Sequence, residues 1–112
     1  EAAFGPDHPN VATDANNLGG VLRALGEYEG ARAAYERALA IDEAAFGPDH
    51  PEVATDVNNL SYVLEELGDL HGAHAAAARA CTIVEASLPS EHPNVHAARR
   101  HLEALRQQLD QE

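Results

Sequence analysis

One six-residue motif, Phe-Gly-Pro-Asp-His-Pro, occupies residues 4–9 and again residues 46–51, and a looser third copy, Leu88-Pro89-Ser90-Glu91-His92-Pro93, follows. The three copies lie 42 residues apart. A fixed period of that size marks a repeat array, whose units bury their apolar faces only against one another. Aligning residues 1–42 with 43–84 gives 27 identities in 42 positions, spread over the motif and the stretch between. The unit is a duplicated one.

Within each unit the apolar residues follow a helical period. Val11, Ala15, Leu18, Leu22 and Leu25 recur at steps of three and four, as do Val53, Val57, Leu60, Leu64 and Leu67. Pro9 and Pro51 suit the first helical position and push the preceding histidine out of helical geometry. Gly26 and Gly68 suit a left-handed cap at the far end. Each such helix has about 16 residues, or roughly 24 Å. Two residues after each glycine a second helix begins, with Tyr28, Ala31, Tyr35, Ala38 and Ile41 on its stripe, then Leu70, Ala73, Ala77, Ala80 and Val84. So short a turn forces the paired helices antiparallel, and Ala31 and Ala73 permit close approach. The second helices run to Phe46 and Leu88. A last helix starts at Pro93, with Val95, Ala98, Leu102, Leu105 and Leu109 on one stripe and Arg99, Glu103, Arg106, Gln107 and Asp110 elsewhere, as a solvating end cap requires. The fold class is all-α.

Composition agrees with this packing. The chain is 45% hydrophobic but only 4% aromatic, so small residues that bring backbones together must fill the interior. No apolar run approaches the roughly 20 residues of a membrane-spanning helix, and a soluble, cytoplasmic protein is expected. Nineteen acidic residues against seven Lys plus Arg give a net charge of -12, which disfavours nucleic acid and an anionic membrane and favours a neutral or basic partner. Cys81 is the only cysteine and falls where the first unit has Leu39, so a buried apolar role is expected. Glu1-Ala2-Ala3-Phe4 matches Glu43-Ala44-Ala45-Phe46, so the chain is expected to be a piece of a longer array.

Asn17-Leu18-Gly19, Leu22, Gly30-Ala31, Tyr35 and Ala38, with Asn59-Leu60, Leu64, Gly72-Ala73 and Ala80, resemble the tetratricopeptide repeat family. The Gly-Pro-Asp-His-Pro loop is similar to that of the 42-residue kinesin light chain type, also found in bacterial multidomain proteins. The resemblance implies a right-handed α-solenoid of antiparallel helix hairpins, one domain over 1–112. Residues 1–8 would end a preceding helix and loop, 9–50 and 51–92 would be two repeats, and 93–112 a capping helix or half repeat. Two departures stand out: Ser61 replaces Gly19, and Ala77 replaces Tyr35.

By helical angle, Thr13, Asn16, Asn17, Gly20 and Ala24 lie opposite the first stripe. Thr55, Asn58, Asn59, Tyr62 and Glu66 do so on the next such helix, and Ala97, Arg100, His101, Ala104 and Gln108 on the last. The resemblance implies that this face lines a concave groove holding an extended peptide or a partner's helix. An amide carries donors and an acceptor, so the paired asparagines suit a peptide backbone. They equally suit bridges between adjacent helices. Tyr62 fits either a flat anchor or rim packing, and Arg100 and His101 either a carboxylate site or a solvated face. A family clamp for a partner's C-terminal carboxylate uses lysines, and this chain has none. His8, His50 and His92 sit one repeat apart, on helices about 8–10 Å from one another, too far to share a metal whose ligands lie at about 2.0–2.1 Å. His71 and His74 lack a third ligand. No nucleophile triad, phosphate loop or paired catalytic carboxylates is evident, so no enzyme, metal or cofactor is expected. The expected function is a protein-binding scaffold; the alternative is self-association through the array ends.

Overall fold

Histidine, proline and glycine set the bounds of the helices. A computed structural model describes residues 9–111, and among them it has five helices: α1 (Pro9–Ala24), α2 (Tyr28–Phe46), α3 (Pro51–Glu66), α4 (Leu70–Ser87) and α5 (Pro93–Asp110). The expected helix end and loop at residues 1–8 lie outside the described residues. Pro51 and Pro93 begin their helices, and the histidine before each caps it, with Nδ1 accepting from the amides of Glu52 and Asn94 at 3.0 Å. At the other ends Gly26 and Gly68 take φ of 80° and 86°. Glu27 N–H then reaches back to the Leu22 carbonyl, and Asp69 N–H to that of Leu64, closing the last turn in a Schellman motif. Asp69 caps α4 through the amide of Gly72.

The three-residue turns fold α1 onto α2 and α3 onto α4, and α2·α3 and α4·α5 contacts stack the hairpins into an all-α solenoid. The 42-residue period is visible in the core itself. Val11, Ala12, Ala15, Ala38 and Ile41 fill the first hairpin, and Val53, Ala54, Val57, Ala80 and Ile83 fill the second at the same positions. Between hairpins, Ala31 and Tyr35 of α2 pack on Leu60 and Val63 of α3. The next joint repeats this with Ala73 and Ala77 of α4 on Leu105, with Leu102 half-buried beside them. Cys81 is buried, and loss of water, followed by the nearby Glu85 carboxylate, pushes its thiol pKa up.

One expectation fails at the N-terminal side. Leu18 and Leu25 belong to the α1 stripe but are 53% and 71% exposed, and Val21 beside them is 57% exposed. Their counterparts Leu60, Val63 and Leu67 lie against α2. The stripe therefore has two halves: Val11 and Ala15 face the helix's own partner, while Leu18 and Leu25, with Val21 beside them, face solvent.

The C-terminal side is different. Where α1 has Ala12, Ala15 and Leu22, and α3 has Ala54, Val57 and Leu64, helix α5 carries His96, Arg99 and Arg106. Arg99 pairs with Glu85 of α4 at 2.7 Å, and Arg106 with Glu103 and Asp110 of its own helix. The face of α5 that corresponds to the hairpin-facing side of α1 and α3 is thus polar and charged.

The two departures from the repeat are one packing event. A Cβ added at Gly19 would lie 2.6 Å from the buried Tyr35 ring. In the second unit Ala77 removes that ring, and Ser61 fits fully buried, its hydroxyl donating to the Asn58 carbonyl at 2.7 Å. Gly19→Ala is expected to cost about 1–3 kcal/mol by overpacking. Gly19→Ser and Tyr35→Ala are each expected to destabilise, and the double variant to lose less than their sum. Urea midpoints of the four proteins measure the coupling.

Candidate functional site

Helices α1, α3 and α5 form one layer, and their polar faces meet across it. At the first joint Arg23 Nε donates to Glu66 Oε1 at 2.5 Å, and the Arg23 guanidinium lies 5.4 Å from the centroid of the Tyr62 ring. Asn16 Nδ2 donates to Asp56 Oδ1 at 2.6 Å. At the second joint the Tyr62 and His101 rings stack with centroids 4.2 Å apart. His101 Nε2 lies 3.4 Å from Glu65 Oε1, and Gln108 Nε2 donates to Glu65 Oε2 at 3.1 Å.

These contacts sort the expected site residues. Thr13, Asn17, Gly20, Thr55 and Arg100 are exposed, and Asn58 and Asn59 are half-buried. The Asn16 amide bridges two helices, Glu66 holds Arg23, and the His101 side chain is packed against Tyr62 and Glu65 with 12% of its surface exposed. The expected residues thus share a layer but fall into two groups, one spent on tying helices together and one facing outward.

Between α3 and α5, over a floor of α4, opens a cleft of about 500 Å³. Thr55, Asn58 and Tyr62 line it from α3, Ala80, Val84 and Ser87 from α4, and Asn94, Ala97 and Ala98 from α5. None of its lining residues is charged. Asn94 and the α4 floor were missed by helical angles, which rank positions on one helix and say nothing of what lies beneath it.

Asp42 and Asp56 were missed as well. They are 3% and 0% exposed and interact at the first joint, where Asp56 also accepts from Asn16. Loss of water first, then a hydrogen bond that protonated Asp56 donates to Asp42, push the Asp56 carboxyl up to about 8, while the Asn16 amide opposes the shift. Asp42 adds a like-charge contribution across the joint, and Glu52 of the same helix a smaller one. Two carboxylates so placed do not both ionise at neutral pH. Asp56 Oδ2 is buried without a hydrogen-bond partner among the described residues, which disfavours a charge on it. A signal was available: Asp56 sits at the edge of the Val53-Val57-Leu60 stripe, where a solvated acid does not belong.

The family model described as tetratricopeptide repeat matches residues 1–44 and 14–86. The chain belongs to the tetratricopeptide repeat family. Among curated proteins no sequence match is found. Tetratricopeptide repeats mediate protein–protein interactions, and the family is a non-catalytic repeat scaffold. In this tetratricopeptide repeat domain no described helix is long and apolar enough to cross a membrane. The described residues also hold no cluster of three or more His, Cys, Asp or Glu side chains placed to hold a metal.

The buried pair makes stability depend on pH. The Asp56 pKa is raised on folding, so its stabilising contribution is complete below the unfolded value, near 3.9. It is lost as pH rises through about 8. Asp56→Asn keeps the acceptor for Asn16 and offers an amide to Asp42. It is expected to flatten the decline in urea midpoint between pH 5 and pH 8.5 that the parent domain shows.

Proposed function

We propose that this tetratricopeptide repeat domain, of the kinesin light chain-like type and forming one domain over 1–112, is a scaffold that holds a peptide or helical segment of a partner along its α1–α3–α5 face. The observation that carries the reading is the uncharged cleft between α3 and α5, roofed on one side by Asn58 and Tyr62 and set in the face that presents Asn17 and Asn59. Ligand clefts of about 300–1,000 Å³ are typically apolar with a few placed polar groups, and this one has that composition. Amides along the face offer a donor and an acceptor to a peptide backbone whatever its side chains. The net charge of -12 favours a neutral or basic segment over an acidic one, over nucleic acid and over an anionic membrane.

Selection from a random decapeptide library tests this. Neutral and basic peptides are expected to be enriched, and Asn17→Ala with Asn59→Ala to weaken their binding about thirtyfold, at roughly 1 kcal/mol for the hydrogen bond lost at each position. The melting midpoint should stay nearly where it is, since Asn17 is exposed and Asn59 only half-buried. A fall in both properties would assign the amides to structure instead.

Self-association is the second reading, and the exposed Leu18-Val21-Leu25 stripe favours it. The polar α5 end offers no apolar counterpart, so pairing would be two-fold through α1 rather than a head-to-tail filament. Sedimentation at rising concentration is then expected to give dimers, and Val21→Glu monomers.

A further inference from the structure

The cleft occupies, one repeat on, the place that the buried acids fill at the first joint. Adding 42 to Asn16, Asp42 and Asp56 gives Asn58, Val84 and Ala98, and all three line the cleft. The first joint is closed by two carboxyls and an amide, with the Asn16 amide 2.6 Å from Asp56. At the second joint the asparagine is kept while both acids are replaced by apolar residues, one of them small. The partner that Asn16 finds in Asp56 has no counterpart for Asn58, because a methyl group stands there. The joint is held at the equivalent positions by Ala73 and Ala77 on Leu105, with Ala77 where the first joint has Tyr35. The substitutions thus leave the helices stacked and open a cavity under a half-buried amide.

We propose that this cleft is a side-chain subsite for one large apolar residue of a neutral or basic peptide, built by the loss of the acid pair and present at the second joint only. The inference rests on the peptide-holding reading above and narrows it. Ala80, Val84 and Ala98 supply an apolar floor and wall for the side chain. Asn58 on one bank and Asn94 on the other supply donors and acceptors for the backbone on either side of it. No lining residue carries a charge to pair with a buried ammonium or carboxylate, so a charged side chain would enter unpaired and be rejected. Lysine or arginine in the flanking positions suits a domain with 19 acidic residues against seven basic ones. At the first joint the same space holds Asp42 and Asp56, so no side chain enters there.

The test uses the random decapeptide library on the parent domain and on two variants. Ala98→Asp restores the acid that stands at position 56, beside an asparagine that already bonds such an acid one repeat earlier. Ala98→Leu fills the cleft with the chain's own side chain and keeps the proposal testable should the buried acid impair folding. The selected pool is expected to converge on leucine, isoleucine, methionine or phenylalanine at one fixed position, and its peptides to bind both variants at least about tenfold more weakly, the scale on which apolar pockets discriminate. Enrichment without an apolar position, or binding that both folded variants retain, would overturn the subsite and leave the scaffold reading standing. A library from which no peptide is enriched would overturn both.

Discussion

Ala31 and Tyr35 of α2 against Leu60 and Val63 of α3 form the contact on which the rest of the molecule depends. A hairpin of two helices has apolar surface on both flanks and hides only one of them by itself. The α2–α3 and α4–α5 joints hide the other, and they do so with alanines fully removed from solvent, which let backbones approach where few aromatic residues are present. Helix α1 has no such neighbour among the described residues, and its Leu18 and Val21 stand in solvent. Helix α5 shows the opposite solution, with arginines where the next partner would pack.

The joints are also where the two units diverge. Gly19 with Tyr35 and Ser61 with Ala77 are alternative solutions to one volume constraint, since a buried ring leaves no space for a Cβ beside it. Asn16, Asp42 and Asp56 set against Asn58, Val84 and Ala98 are a second such pair of solutions, one polar and closed, the other apolar and open. Buried polar groups are tolerated where they satisfy one another. Removing two of the three leaves a space, and the surrounding helices are held by other contacts and do not collapse into it.

Helix bounds and their pairing were legible from residue patterns alone. Proline, glycine and the three-and-four spacing act over a few residues, and local backbone geometry obeys them directly. The candidate site was legible only in part. Helical angle put Asn16, Asn17, Asn58 and Asn59 on one face, yet it could not tell the Asn16 amide, committed to Asp56, from the exposed Asn17 next to it. It also placed His101 among free cations, whereas Tyr62 and Glu65, some 40 residues away in the chain, enclose it. The acids at 42 and 56 read as surface charge until their helices were brought together.

What the sequence by itself determined is the period, and with it the number and order of helices, because each unit repeats the same short-range signals at the same spacing. What only the tertiary structure decided is the environment of each position. Asn16 and Asn58 are the same residue at the same place in the unit, and one closes a joint while the other stands over a cleft. The difference comes from side chains on two other helices, and solvation depends on the whole set of neighbours in space rather than on neighbours along the chain.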